Sequence, residues 1–269
     1  MDILNSGRES SSWNSRESSK ESSEENSKEN SKESLIRAFI FDLDGVLTDT
    51  AEYHYQAWKK IADEYGLFFD RSDNERLKGV SRLRSLEIIL EINQAGQRFN
   101  EQEKEQITCV KNRIYQNLLK NITAKDILPG IEEFLKEARN REILLAVASA
   151  SRNADTVLDR LGIKPLFDYI ADAGKIARTK PDPEVFLDCC RNLGVQPHSC
   201  IGFEDSQAGI EAIRSAQMRS VGIHVTVTSV APDLQYQGTE GLDVQQVLDY
   251  FEAAVQGESA ALASEVSDY

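Results

Sequence analysis

Sulfur, imidazole and positive charge are all scarce in this chain of 269 residues. The four cysteines (Cys109, Cys189, Cys190 and Cys200) form no CxxC pair, and only three histidines are present. That leaves too few ligands for a zinc site. Thiols so distributed read as reduced packing residues of a cytoplasmic protein, with Cys189 and Cys190 half-buried on an amphipathic helix. No run approaches the roughly 18 apolar residues that span a bilayer. No apolar segment follows a basic start, so the N-terminus does not read as a secretory signal. Lysine and arginine total 31 against 45 aspartates and glutamates, a net charge of −14. Such a surface repels phosphate backbones, so neither nucleic acid nor membrane is an expected partner. Apolar residues, at 40%, suffice for a real core.

What is present is unevenly spread. Residues 1–34 hold 12 serines, 7 glutamates and 4 asparagines, but only four large apolar residues (Met1, Ile3, Leu4, Trp13). That composition predicts a disordered tail, since it cannot bury enough surface to offset ordering entropy. Small, polar residues from about Gly257 predict fraying, within a C-terminal tail expected over 251–269. Between them, Leu35–Phe41 is a short apolar run suited to a buried strand. Helical spacing follows over about 51–65, 83–92 and 101–121, the last with Ile107, Val110, Ile114 and Leu118 on one stripe. Pro129-Gly130 breaks the chain.

Beyond Gly130, apolar strands near 143–148, 168–170, 199–203 and 220–223 alternate with helical patterns at 131–139, 153–161, 183–193 and 206–216. This alternation predicts an α/β fold: a Rossmann-like parallel sheet with helices on both faces. The expected core spans 35–51 and 127–250, with an inserted all-helical cap at 52–126.

In open α/β sheets, ligands bind beyond the carboxyl ends of the strands. Asp42 and Asp44 follow the first strand, Ser149 to Asn153 the second, Lys180 the third, and Glu204 and Asp205 the fourth. Carboxylates gathered at this density repel one another unless a cation sits among them. Oxygen ligands without histidine or cysteine point to Mg²⁺. With Lys180, such a cation can hold a phosphate dianion against a carboxylate nucleophile. A second carboxylate two residues on can act as general acid and base.

Four motifs, each just past a predicted strand, resemble those of the haloacid dehalogenase superfamily: a DxD after strand one, a Ser or Thr, a Lys and an acidic pair. Within it, Phe41–Val46, Thr48–His54, Leu77–Arg82, Ala148–Ser151 and Gly202–Ile210 are similar to the β-phosphoglucomutase family over about residues 35–224. That resemblance implies an isomerase that interconverts β-glucose 1-phosphate and glucose 6-phosphate through an aspartyl phosphate, with β-glucose 1,6-bisphosphate as primer and intermediate. It implies Asp42 as nucleophile and metal ligand. Asp44 would be general acid/base, with its backbone carbonyl on the metal, and Glu204 and Asp205 would complete the Mg²⁺ site. Ser149 and Lys180 would hold the transferring phosphate. Arg82, Ser151, the backbone beside Arg152, and Asn153 would hold the other, with Gly79, Val80, Ser81 and Ala150 around it. Thr50, His54 and Lys111 would couple cap closure to Asp44. The chain is expected to act as a monomer on a phosphosugar; a sugar-phosphate phosphatase of the same superfamily is the alternative.

Simpler readings stand beside these. Ser81 reads equally as the N-cap of a helix, with Arg82 in solvent. Ser151, Asn153 and Ser206 have the chemistry of caps. Trp58 fits lid packing or sugar contact, and Lys111, one step off the apolar stripe, fits a solvated lysine. Departures from the family pattern are few. Leu83-Arg84 stands where the family has an acidic pair, which predicts a more basic lid mouth. Phe203 replaces a smaller residue, expected at the edge of the core.

Overall fold

A computed structural model describes residues 36–253 apart from Lys78. The serine-rich segment 1–34 and the stretch beyond 253 lie outside the described residues.

Six strands form one sheet: β1 (Ala38–Phe41), β2 (Leu144–Val147), β3 (Tyr169–Ile170), β4 (Cys200–Glu204), β5 (Arg219–Ile223) and β6 (Leu234–Tyr236). Their order is β3-β2-β1-β4-β5-β6, and every pairing is parallel. β1 is central, with Ala38 opposite both Leu144 and Cys200. All four of its residues are buried, as a strand covered on both faces requires. Alternation along the strand then divides them. Phe39 and Phe41 point to one side with Phe134, Phe203 and the apolar faces of α5 (Ile131–Asn140) and α6 (Ala154–Leu161). Ala38 and Ile40 point to the other, with α7 (Glu184–Leu193) and α8 (Gln207–Ser215).

Phe203 lies at the centre of the first layer rather than at the core edge. Its ring stacks on Phe41 at 4.6 Å and meets Phe39 edge-on at 5.2 Å. Burying a ring of this size stabilises the fold by about 2–3 kcal/mol. Cys189 and Cys190 are fully buried in the second layer, not half-buried, because α7 turns both inward over β2 and β4.

Four of the helices between β1 and β2 form an insertion: α1 (Ala51–Glu64), α2 (Arg71–Glu75), α3 (Arg82–Ile92) and α4 (Glu101–Leu118). Trp58, Ile61, Leu86, Ile89 and Ile107 give them an apolar cluster of their own, so the insertion is an all-helical cap. Helix α4 belongs to both bodies. Ile107 packs in the cap cluster, while Tyr115, and Leu119 just beyond its end, pack in the core. Asn100 and Glu103 start α4 with a reciprocal capping box.

Three elements depart from the sequence expectations. Helix α2 and strand β6 are too short to show a period. Residues 244–253 are helical, and Phe251, Val247 and Val244 are buried against the core. The expected C-terminal tail therefore does not begin at 251; an apolar face of that helix carries structure to at least 253.

Candidate active site

The floor of the site is built by strand ends. Asp42 follows β1, Ser149 follows β2 by two residues, and Glu204 closes β4 with Asp205 next. Lys180 reaches in from the connection after β3. Its Nζ donates to Asp42 Oδ1 at 2.6 Å and to Glu204 Oε1 at 2.7 Å, and its side chain is 1% exposed. Burial opposes its charge, but Asp42 and Glu204 more than compensate and hold the lysine protonated. Glu204 Oε2 accepts the backbone N–H groups of Asp205 and Ser206.

Two glycines make this density possible. A Cβ at Gly209 would stand 1.7 Å from Glu204 Oε1, and one at Gly45 2.3 Å from Asp205 Oδ2. Gly45 also has φ +82°, where side chains are disfavoured. Ser206 caps α8 through Gly209 N–H, so that helix begins directly behind Glu204.

Asp42, Glu204 and Asp205 each offer an oxygen, and these atoms lie within 4.8 Å of one another. Hard carboxylate donors without nitrogen or sulfur fit a divalent cation of the Mg²⁺ or Ca²⁺ type. Burial pushes the Asp42 carboxyl up to about 7; Lys180 opposes this, while Glu204 and Asp44 add to it. A cation among the three would favour the ionised form.

Asp44 sits differently. Thr50, wholly buried, donates its hydroxyl to Asp44 Oδ1, and its Oγ1 lies 2.9 Å from the Tyr115 hydroxyl. Since the single Thr50 proton is committed to Asp44, the Tyr115 O–H donates to Thr50. Burial raises the Asp44 carboxyl, and the Thr50 hydrogen bond pulls it back. Lys111 is buried at 2% exposure rather than solvated, because α4 turns it inward over Trp58 and Tyr115. Its Nζ is 2.8 Å from His54 Nδ1. Burial and the nearby Arg82 bring Lys111 down to about 7, and burial with Lys111 and Arg82 keeps His54 neutral.

Asp42, Asp44, His54, Lys111, Lys180 and Asp205 border one cavity of about 820 Å³ between cap and sheet. Gly79, Val80, Ser81 and Arg82 line it from the cap; Ala150, Ser151, Arg152 and Asn153 line it from the core. Trp58 reaches it too, although only 1% exposed, so packing dominates its surroundings. Thr50 and Glu204 do not line it; they stand behind Asp44 and Asp42. Ser81 caps α3 through Arg84 N–H, so its cap role is real. Arg82 follows as the first helical residue, where backbone N–H groups favour an anion. Burial and the charge of Arg152 both lower Arg82. Among the described residues, no carboxylate pairs with either guanidinium.

Arg84 does not make the lid mouth more basic. It turns along α3 and is neutralised by Glu91 at 2.7 Å and Glu87 at 3.3 Å; only Leu83 of that pair borders the cavity. Asn153 makes no side-chain cap for α6. Its amide instead meets Asn112 and Gln116 of α4, at 2.9 and 3.1 Å. Tyr115, Asn112 and Gln116 escape a reading of the sequence. The available signal is spacing alone: Tyr115 lies one turn from Lys111, on its face.

A family model for haloacid dehalogenase-like hydrolases matches residues 36–217. A β-phosphoglucomutase of Bacillus subtilis is 44% identical over 217 residues, 81% of this chain and 96% of that protein. A phosphorylated carbohydrates phosphatase of Thermotoga maritima is 32% identical over 69% of this chain and 84% of that protein. Among solved structures, a β-phosphoglucomutase from Clostridium difficile superposes with a TM-score of 0.78 at 44% identity, covering 82% of this chain and 99% of the other. The six-stranded parallel sheet and the helical cap agree with that match, and the chain belongs to the haloacid dehalogenase-like hydrolase family.

Proposed function

We infer that this protein is a β-phosphoglucomutase, interconverting β-D-glucose 1-phosphate and D-glucose 6-phosphate. One observation carries the reading beyond the family. Groups suited to holding phosphate line the cavity at two places: Lys180 and Ser149 beside Asp42, and Arg82 with Arg152, whose charge lowers Arg82, neither having a partnering carboxylate among the described residues. A bisphosphate occupies both places at once, in either orientation. The identity of 44% to a named β-phosphoglucomutase supports the same choice.

In this reading Asp42 attacks phosphorus, the P–O bond to the sugar breaks, and an aspartyl phosphate forms. Asp44 hands its proton to the departing sugar oxygen and takes one from the hydroxyl that later attacks the aspartyl phosphate. Burial, which raises the Asp44 carboxyl, favours its protonated form. Lys180 neutralises the phosphoryl oxygens, while Arg82, Ser151, Arg152 and Asn153 hold the distal phosphate. Asp42, Glu204 and Asp205 would bind Mg²⁺, which supplies charge neutralisation for the transferring group. The cap limits access of water, which would otherwise hydrolyse the aspartyl phosphate. Four free cysteines, three of them buried, suit a cytoplasmic enzyme of this kind.

A phosphorus NMR time course tests the reading, with Mg²⁺, β-glucose 1-phosphate and a trace of β-glucose 1,6-bisphosphate. Glucose 6-phosphate should accumulate with little free phosphate. Dominant release of inorganic phosphate would make the protein a sugar-phosphate phosphatase.

A further inference from the structure

In the five-residue helix α2 one residue is buried, and it is a polar one, Asn74. It is 7% exposed and borders the cavity from the cap. Its backbone N–H donates to the Asp70 carbonyl, and its own carbonyl accepts from Leu77 N–H, so the main chain there is engaged. The side-chain amide is not. Nδ2 donates to the Ala51 carbonyl at 3.5 Å, the outer limit of a hydrogen bond, and Oδ1 accepts none among the described residues. The reciprocal capping box of Asp70 and Asp73 starts α2 without help from Asn74.

The other buried, neutral polar side chains at this cavity have closer partners. Ser85 donates to the Ser81 carbonyl at 3.1 Å, and Thr108 to the Glu105 carbonyl at 2.8 Å. Ser149 accepts Ser151 N–H at 3.1 Å, and Asn153 donates to Asn112 at 2.9 Å. An amide has two donors and two acceptor lone pairs. Burying them unmatched costs free energy unless a ligand or water meets them. A sugar hydroxyl also both donates and accepts, so it answers an amide on either atom. Neutrality matters as well. The cavity carries groups suited to phosphate at two places, and a carboxylate at position 74 would repel both dianions. Ala51 follows Thr50, the partner of Asp44, so Asn74 stands near the place where a sugar oxygen exchanges its proton.

We propose that Asn74 is a specificity-determining residue whose side-chain amide contacts a non-reacting ring hydroxyl of the sugar phosphate. This inference rests on the mutase reading. Groups that hold phosphate measure the length and charge of a ligand, which epimers share. Trp58, Leu77 and Val80, which also border the cavity from the cap, offer apolar surface to ring C–H groups. Neither kind of contact reports where a hydroxyl points. A hydrogen bond to a fixed amide does, because it weakens steeply as the donor leaves its line. Helix α2 thereby contributes to the choice of sugar.

The test is a cycle between enzyme and substrate. Wild type and Asn74→Ala are assayed on β-glucose 1-phosphate and on its 2-, 3- and 4-deoxy analogues, with Mg²⁺ and the bisphosphate primer. Asn74→Ala should lower kcat/KM for the parent sugar by roughly tenfold, the worth of one neutral hydrogen bond. At least one deoxy analogue should lose a similar factor with wild type and nothing more with the variant. Asn74→Leu, close in size, removes the amide without opening a hole and should repeat the pattern. Melting temperatures should stay within a few degrees of wild type, since the capping box holds α2 and alanine and leucine are good helix formers. Losses of equal size on the parent and on every analogue, or losses that follow a lowered melting temperature, would make Asn74 a tie between α2 and α1. That result would overturn the contact and leave the mutase reading standing. A wild-type enzyme that yields mainly free phosphate would overturn the mutase reading, and the same cycle read on phosphate release would still decide the contact.

Discussion

At Asp42, one oxygen is held by Lys180 at 2.6 Å and the other accepts the Asp44 N–H at 3.1 Å. Replacement by asparagine keeps the volume but removes the charged oxygen that attacks phosphorus. Asp42→Asn should lower turnover by on the order of 10⁴-fold or more while circular dichroism stays unchanged; near-wild-type rates in a coupled assay would remove Asp42 as nucleophile. Lys111 offers a pH signature. Its ammonium loses its proton near 7 in the fold but has an ordinary value of 10.5. Between those values the unfolded chain binds the extra proton, so this group favours folding increasingly as pH rises. The gain is complete above 10.5 and is lost as pH falls through 7. Lys111→Met lacks it. Thermal unfolding from pH 7 to 10 should show wild type gaining on the variant; parallel curves would contradict a buried, perturbed lysine.

Short elements carry the specificity. Ser81 starts α3, and Arg82 follows immediately, so helix and guanidinium face the cavity together. Arg84, two positions on, is turned to Glu87 and Glu91 and adds no field there. Arg82→Ala should therefore lower kcat/KM for the mutase reaction by about 100-fold, the loss of one charge-assisted bidentate grip of roughly 3 kcal/mol. Hydrolysis of a small phosphate monoester, which does not reach the distal place, should fall far less. Equal losses on both substrates would show that Arg82 serves the fold and not the second phosphate. The sequence made α3 and α4 legible through period and caps. It could not show that α4 joins two cores, because an amphipathic stripe does not say which body it faces. Tyr115 reads as one more apolar position until the fold brings Thr50 beneath Asp44.

For the molecule as a whole, a net charge of −14 meets its sharpest local expression at the acidic floor, where buried Lys180 pairs with two of three clustered carboxylates. Chelation should abolish activity, and added Mg²⁺ should restore it. Metal at a hundred times its dissociation constant should also stabilise the fold by about 3 kcal/mol, read as a melting temperature several degrees higher. Activity that survives exhaustive chelation would exclude the carboxylate cluster as a required metal site. The residues of that cluster were visible in the sequence because each follows an apolar run, and parallel strands deliver their carboxyl ends to one edge. The α/β class and the helical insertion were visible for the same reason: periodicity is a local property that burial imposes on every element. Strand β6 was not, since a three-residue strand has no period; the helix at 244–253 does carry helical spacing at Val244, Val247, Leu248 and Phe251, but only packing showed that this face belongs to the core. Tertiary structure alone decided that Lys111 is buried, that Phe203 is central, that Arg84 is neutralised, and that Asn153 is held by α4. Each depends on which distant side chain arrives within about 3–5 Å, and a linear pattern holds no such distances. The sequence determined which chemistry is available and at which strand ends; packing decided which groups share a proton, a charge or a helix.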